Sequence, residues 1–142
     1  MGKLTNKIVQ ISNDIKEMSY SPYSKFRVGA CILTTNGNIY SGCNIESCSY
    51  GATLCAEASA LASMVSGGDQ SIAEIAITCS NDEICYPCGI CLQRLLEFST
   101  EDTIVHLCIN AELKASLKLL EMLPFSFNKK MLINHETSSC II

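Results

Sequence analysis

Charge is scarce in this chain. Charged side chains make up 17% of its 142 residues and hydrophobic ones 48%, the balance of a compact soluble protein with little polar surface to spare. Such a surface favours self-association. The ten basic residues are scattered, with no run longer than Lys129-Lys130, and the net charge is -4. That excludes the electrostatic footprint of a nucleic-acid or anionic-membrane binder. No apolar run approaches the roughly 18 residues that span a bilayer, and the start, MGKLTNK, lacks the apolar core of a signal peptide. Repeats, low-complexity tracts and linkers are missing too. These absences predict one soluble, cytoplasmic domain over 1–142, with a polar C-terminal tail over about 129–142.

Cysteine is the exception to this economy. Ten of them in a chain expected in a reducing compartment suggest buried free thiols with metal ligands among them. Cys31, Cys43, Cys79 and Cys108 fall inside apolar, strand-like runs, where a cysteine acts as a small buried hydrophobe. Cys140 lies in the polar tail. Cys48, Cys55, Cys85, Cys88 and Cys91 remain to be explained.

Hydrophobic spacing organises the chain. Leu4, Ile8, Ile11, Ile15 and Met18 recur at intervals of three and four and predict an amphipathic helix over 4–19. VGACILT (28–34) and NIYSGCN (38–44) are β-type runs around an Asn36-Gly37 turn, a hairpin signal. IESCSYGAT (45–53) reads as a loop. A second helix opens at Thr53 to Cys55 and runs to about Ser66, apolar nearly all round, before Gly67 and Gly68 stop it. AEIAITCS (73–80) predicts a third strand, 88–98 a third helix, and 104–110 a fourth strand. LKASLKLLEM predicts a short fifth strand and a helical turn before Pro124. The order αββαβαβ(β) implies an α/β layered fold with a mixed sheet.

Two motifs carry chemistry: Cys55-Ala56-Glu57 and Pro87-Cys88-Gly89-Ile90-Cys91. Each opens a predicted helix, where unpaired N–H groups and the positive end of the helix dipole favour the thiolate. A lone C-x-x-C is ambiguous between a redox dithiol and half a metal site. A third cysteine two residues before a glutamate favours metal, and three thiolates leave one position of a tetrahedral zinc site open for water. Glu57 then stands where a group can pass protons without ligating the metal. Cys85 forms a second C-x-x-C with Cys88 but lies before the helix, so it reads as a loop thiol. Neither His106 nor His135 has ligand spacing.

The pair of motifs is the three-cysteine form of the zinc-deaminase signature. SPYSKFRVGACILTTNGNIYSGCNIESCSYG, LCAEASAL and PCGICLQRLLEF together resemble the small homotetrameric cytidine deaminases, from about Tyr20 to about Phe127. The resemblance implies a three-layer α/β/α fold with a mixed five-stranded sheet. It implies one Zn²⁺ per subunit on Cys55, Cys88 and Cys91, and Glu57 as the proton shuttle. It assigns Phe26 to packing against the pyrimidine, Asn44 and Glu46 to the ribose hydroxyls, and the Ala56 backbone to the base. Tyr50 and Phe127 match aromatic residues through which a neighbouring subunit completes the site, so it implies a homotetramer with shared active sites. The expected reaction is deamination of cytidine, and of deoxycytidine, to the uridine counterpart and ammonia, in pyrimidine salvage. A deaminase of another aminated nucleoside or base, a non-catalytic zinc scaffold and a redox protein are the competing readings.

The chain departs from the family at two positions. Arginines usually follow the catalytic glutamate and the last ligand cysteine, where this sequence has Ala58 and Leu92. Three thiolates on Zn²⁺ leave a net charge of about -1 before Glu57 is counted, which raises the pKa of the bound water unless a cation relieves it. The chain has two arginines, Arg27 and Arg94. Arg94, three residues past Cys91, leans back toward the helix start and is the candidate for charge compensation.

Overall fold

The computed structural model describes residues 2–133. The first helix, α1, spans Lys3–Lys16 and buries Ile8 and Val9. It ends before 19 because the chain turns there to pair with the loop beyond β2: the Tyr20 N–H donates to the Asn44 carbonyl at 3.1 Å, and Tyr20 bridges Ile45. Strands β1 (Val28–Thr34) and β2 (Ile39–Cys43) form the expected hairpin, and a single 3₁₀ turn at Tyr50–Ala52 precedes α2 (Ala56–Ser66). Then come β3 (Ile72–Cys79), α3 (Gly89–Glu97), β4 (Ser99–Ile109), β5 (Glu112–Lys118) and two short turns of helix, α4 (Leu119–Met122) and α5 (Lys130–Ile133). Of the polar tail expected over about 129–142, the first part holds α5, and the rest lies outside the described residues beyond 133, as do His135 and Cys140.

The five strands lie in the order β2-β1-β3-β4-β5. Only β3 and β4 are parallel, which gives the mixed sheet that the sequence implies. Strand β4 begins at Ser99, earlier than expected, because Ser99 pairs with Ile72 before a register shift carries the ladder on to Ile104. Polar STEDT conceals that start.

Alternation along the strands sends side chains to two cores. Cys31, Leu33, Ala76 and Cys108 meet Ile8 and Val9 of α1 on one face. Ala30, Ile32, Ile75, Ile77, Val105 and Leu107 meet α2, α3 and α4 on the other, completing three layers, α/β/α. Cys31, Cys79 and Cys108 are buried as expected, whereas Cys43, on the edge strand, is half-buried. His106 is buried between β3 and β5, with Nε2 2.9 Å from Glu74 Oε2 and Nδ1 2.7 Å from Ser116 Oγ. Thr5 of α1 donates to the same Glu74 oxygen at 2.8 Å, so this polar row ties α1 to the sheet.

Two glycines set how closely the helices approach. A Cβ on Gly29 of β1 would overlap the Ser12 carbonyl and stand 2.7 Å from the Lys16 nitrogen of α1. One on Gly42 of β2 would overlap the Ala60 nitrogen and stand 2.6 Å from Ser59 Cβ of α2. The second contact fixes the helix that carries Cys55 and Glu57 at its start.

Candidate active site

The N-termini of α2 and α3 meet. Cys55 is the N-cap residue of α2 and Cys88 that of α3, each in extended backbone, and Cys91 lies within the first turn of α3. The Sγ atoms of Cys55, Cys88 and Cys91 all lie within 4.8 Å of one another. No other group of three metal-type side chains converges this way among the described residues.

The thiols differ in how they are held. Burial pushes Cys55 and Cys91 above the ordinary thiol value, and the Glu57 charge pushes in the same direction. Burial opposes ionisation of Cys88 too, but hydrogen bonds from the Cys91 backbone N–H and from the Cys91 and Cys55 thiols outweigh it and hold Cys88 low. Glu57 is 5% exposed, and desolvation raises its carboxyl above the usual range, against a hydrogen bond from Cys91 and the Arg94 charge. Burial and the Glu57 charge thus raise Cys55 and Cys91 while hydrogen bonds favour the Cys88 thiolate, and three thiols this close beside a buried carboxyl form a donor set that a divalent cation would ionise and neutralise. An all-sulfur set of three suits zinc with one coordination position left free.

A cleft of about 190 Å³ opens over this cluster. Phe26, Asn44, Ala56 and Glu57 line it together with Cys55 and Cys88. The sequence reading missed Thr53, Cys85 and Tyr86, which also line it. The position of Cys85 and Tyr86 directly before the Pro87-Cys88 motif was the available signal. Cys85, read as a loop thiol, lies on the cleft wall and is pushed up to about 12 by burial and by the nearby Cys79 and Glu57. A larger hollow of about 440 Å³ over Glu97, Glu101, Lys129 and Lys130 shows no comparable convergence of acid and thiol groups.

Asn44 is 8% exposed and mostly occupied by its own chain. Its Oδ1 accepts from the Val28 N–H at 2.9 Å and from the Ser19 hydroxyl, and its Nδ2 donates to the Phe26 carbonyl at 2.8 Å, leaving one N–H free. Glu46 and Tyr50 line a second hollow that shares Thr53 with the cleft. Glu46 Oε1 accepts from the Tyr23 and Ser24 N–H groups at 3.0 and 3.2 Å. Hydrogen bonding, foremost with the Ser24 hydroxyl, keeps its carboxyl below the usual range. The structure does not bring Phe127 to its own chain's cleft: the side chain is 57% exposed, and its carbonyl accepts from Gln93 on α3 at 2.9 Å. Arg94 lies outside the cleft, in a groove between α2 and α3 that includes Ala58.

Fold and site together define a metal-dependent hydrolase of the deaminase class, with its ligands at paired helix N-termini and a buried carboxyl beside them. The model of the family described as "Cytidine and deoxycytidylate deaminase zinc-binding region" matches residues 3–107, and the chain belongs to that family. It is 37% identical over 127 residues to the cytidine deaminase of Sporosarcina psychrophila, covering 87% of this chain and 91% of that one. It is also 37% identical over 116 residues to the cytidine deaminase of Mycoplasma genitalium, covering 81% and 88%. The crystal structure of cytidine deaminase from Burkholderia pseudomallei superposes with a TM-score of 0.80 at 31% identity, covering 89% of this chain and all 100% of that one. Zinc is accordingly the metal of the Cys55, Cys88 and Cys91 site.

Proposed function

We propose that this chain is a zinc-dependent cytidine deaminase that converts cytidine, and deoxycytidine with it, to the uridine counterpart with release of ammonia. The observation that carries the reading is the placement of Glu57: buried, two residues beyond a zinc ligand, and lining the same cleft as Cys55 and Cys88. Zinc, when bound, activates a water for attack on the amine-bearing carbon of the base. The protein's residues do the rest. Desolvation raises the Glu57 carboxyl and makes it a stronger base, so Glu57 would take one proton from the attacking water and deliver it to the ring nitrogen, then take the second proton from the hydroxyl left on the ring carbon and deliver it to the departing amine.

Phe26 offers a flat apolar surface to the pyrimidine, and the Ala56 backbone, in the unpaired first turn of α2, holds the base near the metal. The free N–H of Asn44 donates to one sugar hydroxyl, and the unoccupied oxygen of Glu46 accepts from another. A ribose-free substrate would need neither, which favours a nucleoside.

Tyr50 is 80% exposed and meets Tyr23 edge to face at 6.5 Å, and Phe127 is exposed as well. Their exposure supports a homotetramer in which neighbouring copies complete each other's sites. No helix among the described residues is long and apolar enough to cross a membrane, and we assign the enzyme to cytoplasmic pyrimidine salvage. Compensating charge for the thiolate centre comes from the two helix N-termini and from Arg94, whose charge reaches Glu57. Of the ion pairs formed by described residues, Arg27 enters one with Glu17 and Arg94 enters none.

Zinc-replete protein is incubated with cytidine and with deoxycytidine, and the loss of ultraviolet absorbance is followed. Turnover is expected for both, with a fall of about 10²-fold or more for Glu57→Gln at unchanged zinc content. A wild-type protein with zinc bound but no turnover of either substrate would refute the reading.

A further inference from the structure

The loop between β3 and α3 contributes a ring that the mechanism above leaves unused. Tyr86 lines the zinc cleft and is 59% exposed. Its backbone is constrained from the C-terminal side: it precedes Pro87, which restricts it to extended conformations, Pro87 is buried, and Cys88 then begins α3 as a zinc ligand. The backbone that places Cys88 at the start of α3 therefore also places this tyrosine.

Sheet topology brings a second aromatic residue to the same place. Strands β1 and β3 are antiparallel neighbours with Val28 opposite Cys79, so the segment entering β1 and the segment leaving β3 emerge at one end of the sheet. Phe26 sits on the first segment and Tyr86 on the second. Both line the cleft whose floor carries Cys55, Glu57 and Cys88. An aromatic side chain that lines a cleft with more than half its surface uncovered has area available for a planar ligand.

We infer that Tyr86 is a substrate-contacting residue, a second aromatic wall besides Phe26 that packs against the bound nucleoside and sets KM rather than the chemical step. The inference rests on the cytidine deaminase reading. Stacking of a base on an aromatic ring is lost with the ring but survives loss of the phenol oxygen. Contact of this kind is made equally in the ground and transition states, so it acts on KM and leaves kcat in place.

The test compares zinc-loaded wild type with Tyr86→Ala and Tyr86→Phe. For Tyr86→Ala, KM for cytidine is expected to rise about five-fold or more with kcat within two-fold, at the zinc content and sedimentation mass of wild type. Tyr86→Phe is expected to bring KM back to the wild-type value. Calorimetry with uridine on the Glu57→Gln background reads the same loss as weaker product binding. An active wild type whose KM and uridine affinity survive Tyr86→Ala would overturn the inference and leave the deaminase reading standing. So would a change that accompanies a drop in sedimentation mass, which would make Tyr86 an interface residue. A wild type that turns over no cytidine would remove the deaminase reading itself.

Discussion

Cys55 and Cys88 hold the same position on two different helices: each is the N-cap residue, and neither side chain forms a capping hydrogen bond. The side-chain oxygen that caps most helices is replaced twice by sulfur. The role given up at the helix end is recovered at the metal, because two positive helix ends face one cluster of thiolates.

Replacing either residue by serine separates the two roles. Serine is a good N-cap but a poor zinc ligand, so Cys55→Ser and Cys88→Ser are expected to keep the helix content of wild type and lose bound zinc. Circular dichroism beside metal analysis of the purified proteins reads both. Retention of one zinc per subunit by either variant would show that the third position is dispensable.

Much of this site was legible because its residues are close in sequence. Cys55 and Glu57 share one helical turn and Cys88 and Cys91 another, so the spacing of the motifs carries their geometry, and the structure needed only to bring two helix ends together. Strands β1 to β3 were readable for a similar reason, as short β-type runs, the first two around the Asn36-Gly37 turn. Less legible were contacts made across the fold. The occupation of Asn44 depends on residues distant from it in sequence, the backbone of the Phe26–Val28 segment and the hydroxyl of Ser19. Cys85 and Tyr86 reach the cleft only because β3 ends beside the start of β1. Strand β4 was read too short because polar Ser99 to Thr103 has no hydrophobic alternation, although Thr103 is buried and its hydroxyl donates to the Ile72 carbonyl at 2.8 Å.

Arg94 offers a test of how this chain manages without arginines at positions 58 and 92. Leu92 is 8% exposed and part of the core, so that position has been turned over to packing. The Arg94 charge acts on Glu57 and lowers its pKa, against desolvation. Removing the charge therefore moves the pKa up, and the acid limb of the turnover profile of Arg94→Ala is expected to shift to higher pH. Zinc affinity, measured by competition with a chromophoric chelator, should fall by less than about ten-fold, because the guanidinium is exposed and solvent screens it. Arg94→Lys should hold both values near wild type. If neither the affinity nor the limb moves in Arg94→Ala, the helix ends alone compensate the centre.

Asp69 predicts an acid-sensitive stability that is independent of the metal. Its carboxylate is 5% exposed and accepts from Asn36 Nδ2 at 2.7 Å, Asn38 Nδ2 at 2.8 Å and the Tyr40 hydroxyl at 2.9 Å. It thus joins the β1–β2 turn to the end of α2. Those bonds, led by the one from Asn36, hold its pKa below the ordinary value. A folded pKa below the unfolded value of about 3.9 means stabilisation that is complete above that pH and is lost as pH falls through the folded value. Asp69→Asn turns an amide toward three donors. It should lower the thermal midpoint at neutral pH, with the gap to wild type narrowing as both are titrated below about pH 4. Parallel melting curves at the two extremes would decide it.

Gly42 and Gly29 separate fold stability from site geometry, because each lies under a different helix. A methyl group on Gly29 drives into Ser12 and Lys16 of α1, on the face of the sheet away from the zinc. The same group on Gly42 drives into Ser59 and Ala60 of α2, one turn from Glu57. Both Gly29→Ala and Gly42→Ala overpack a backbone contact and should cost about 1–3 kcal/mol in denaturant unfolding of the zinc-free protein. They should differ in what remains of the site. Displacement of α2 carries Cys55 and Glu57 with it, and positioning errors of about 1 Å at a catalytic group cost about 10²-fold in rate. Gly42→Ala is therefore expected to bind zinc more weakly and to lose kcat, whereas folded Gly29→Ala keeps both. Equal losses of zinc affinity in the two variants would mean that the sheet transmits the displacement of α1 to the far layer, and that the close seat of α2 on β2 has no special part in holding the ligands.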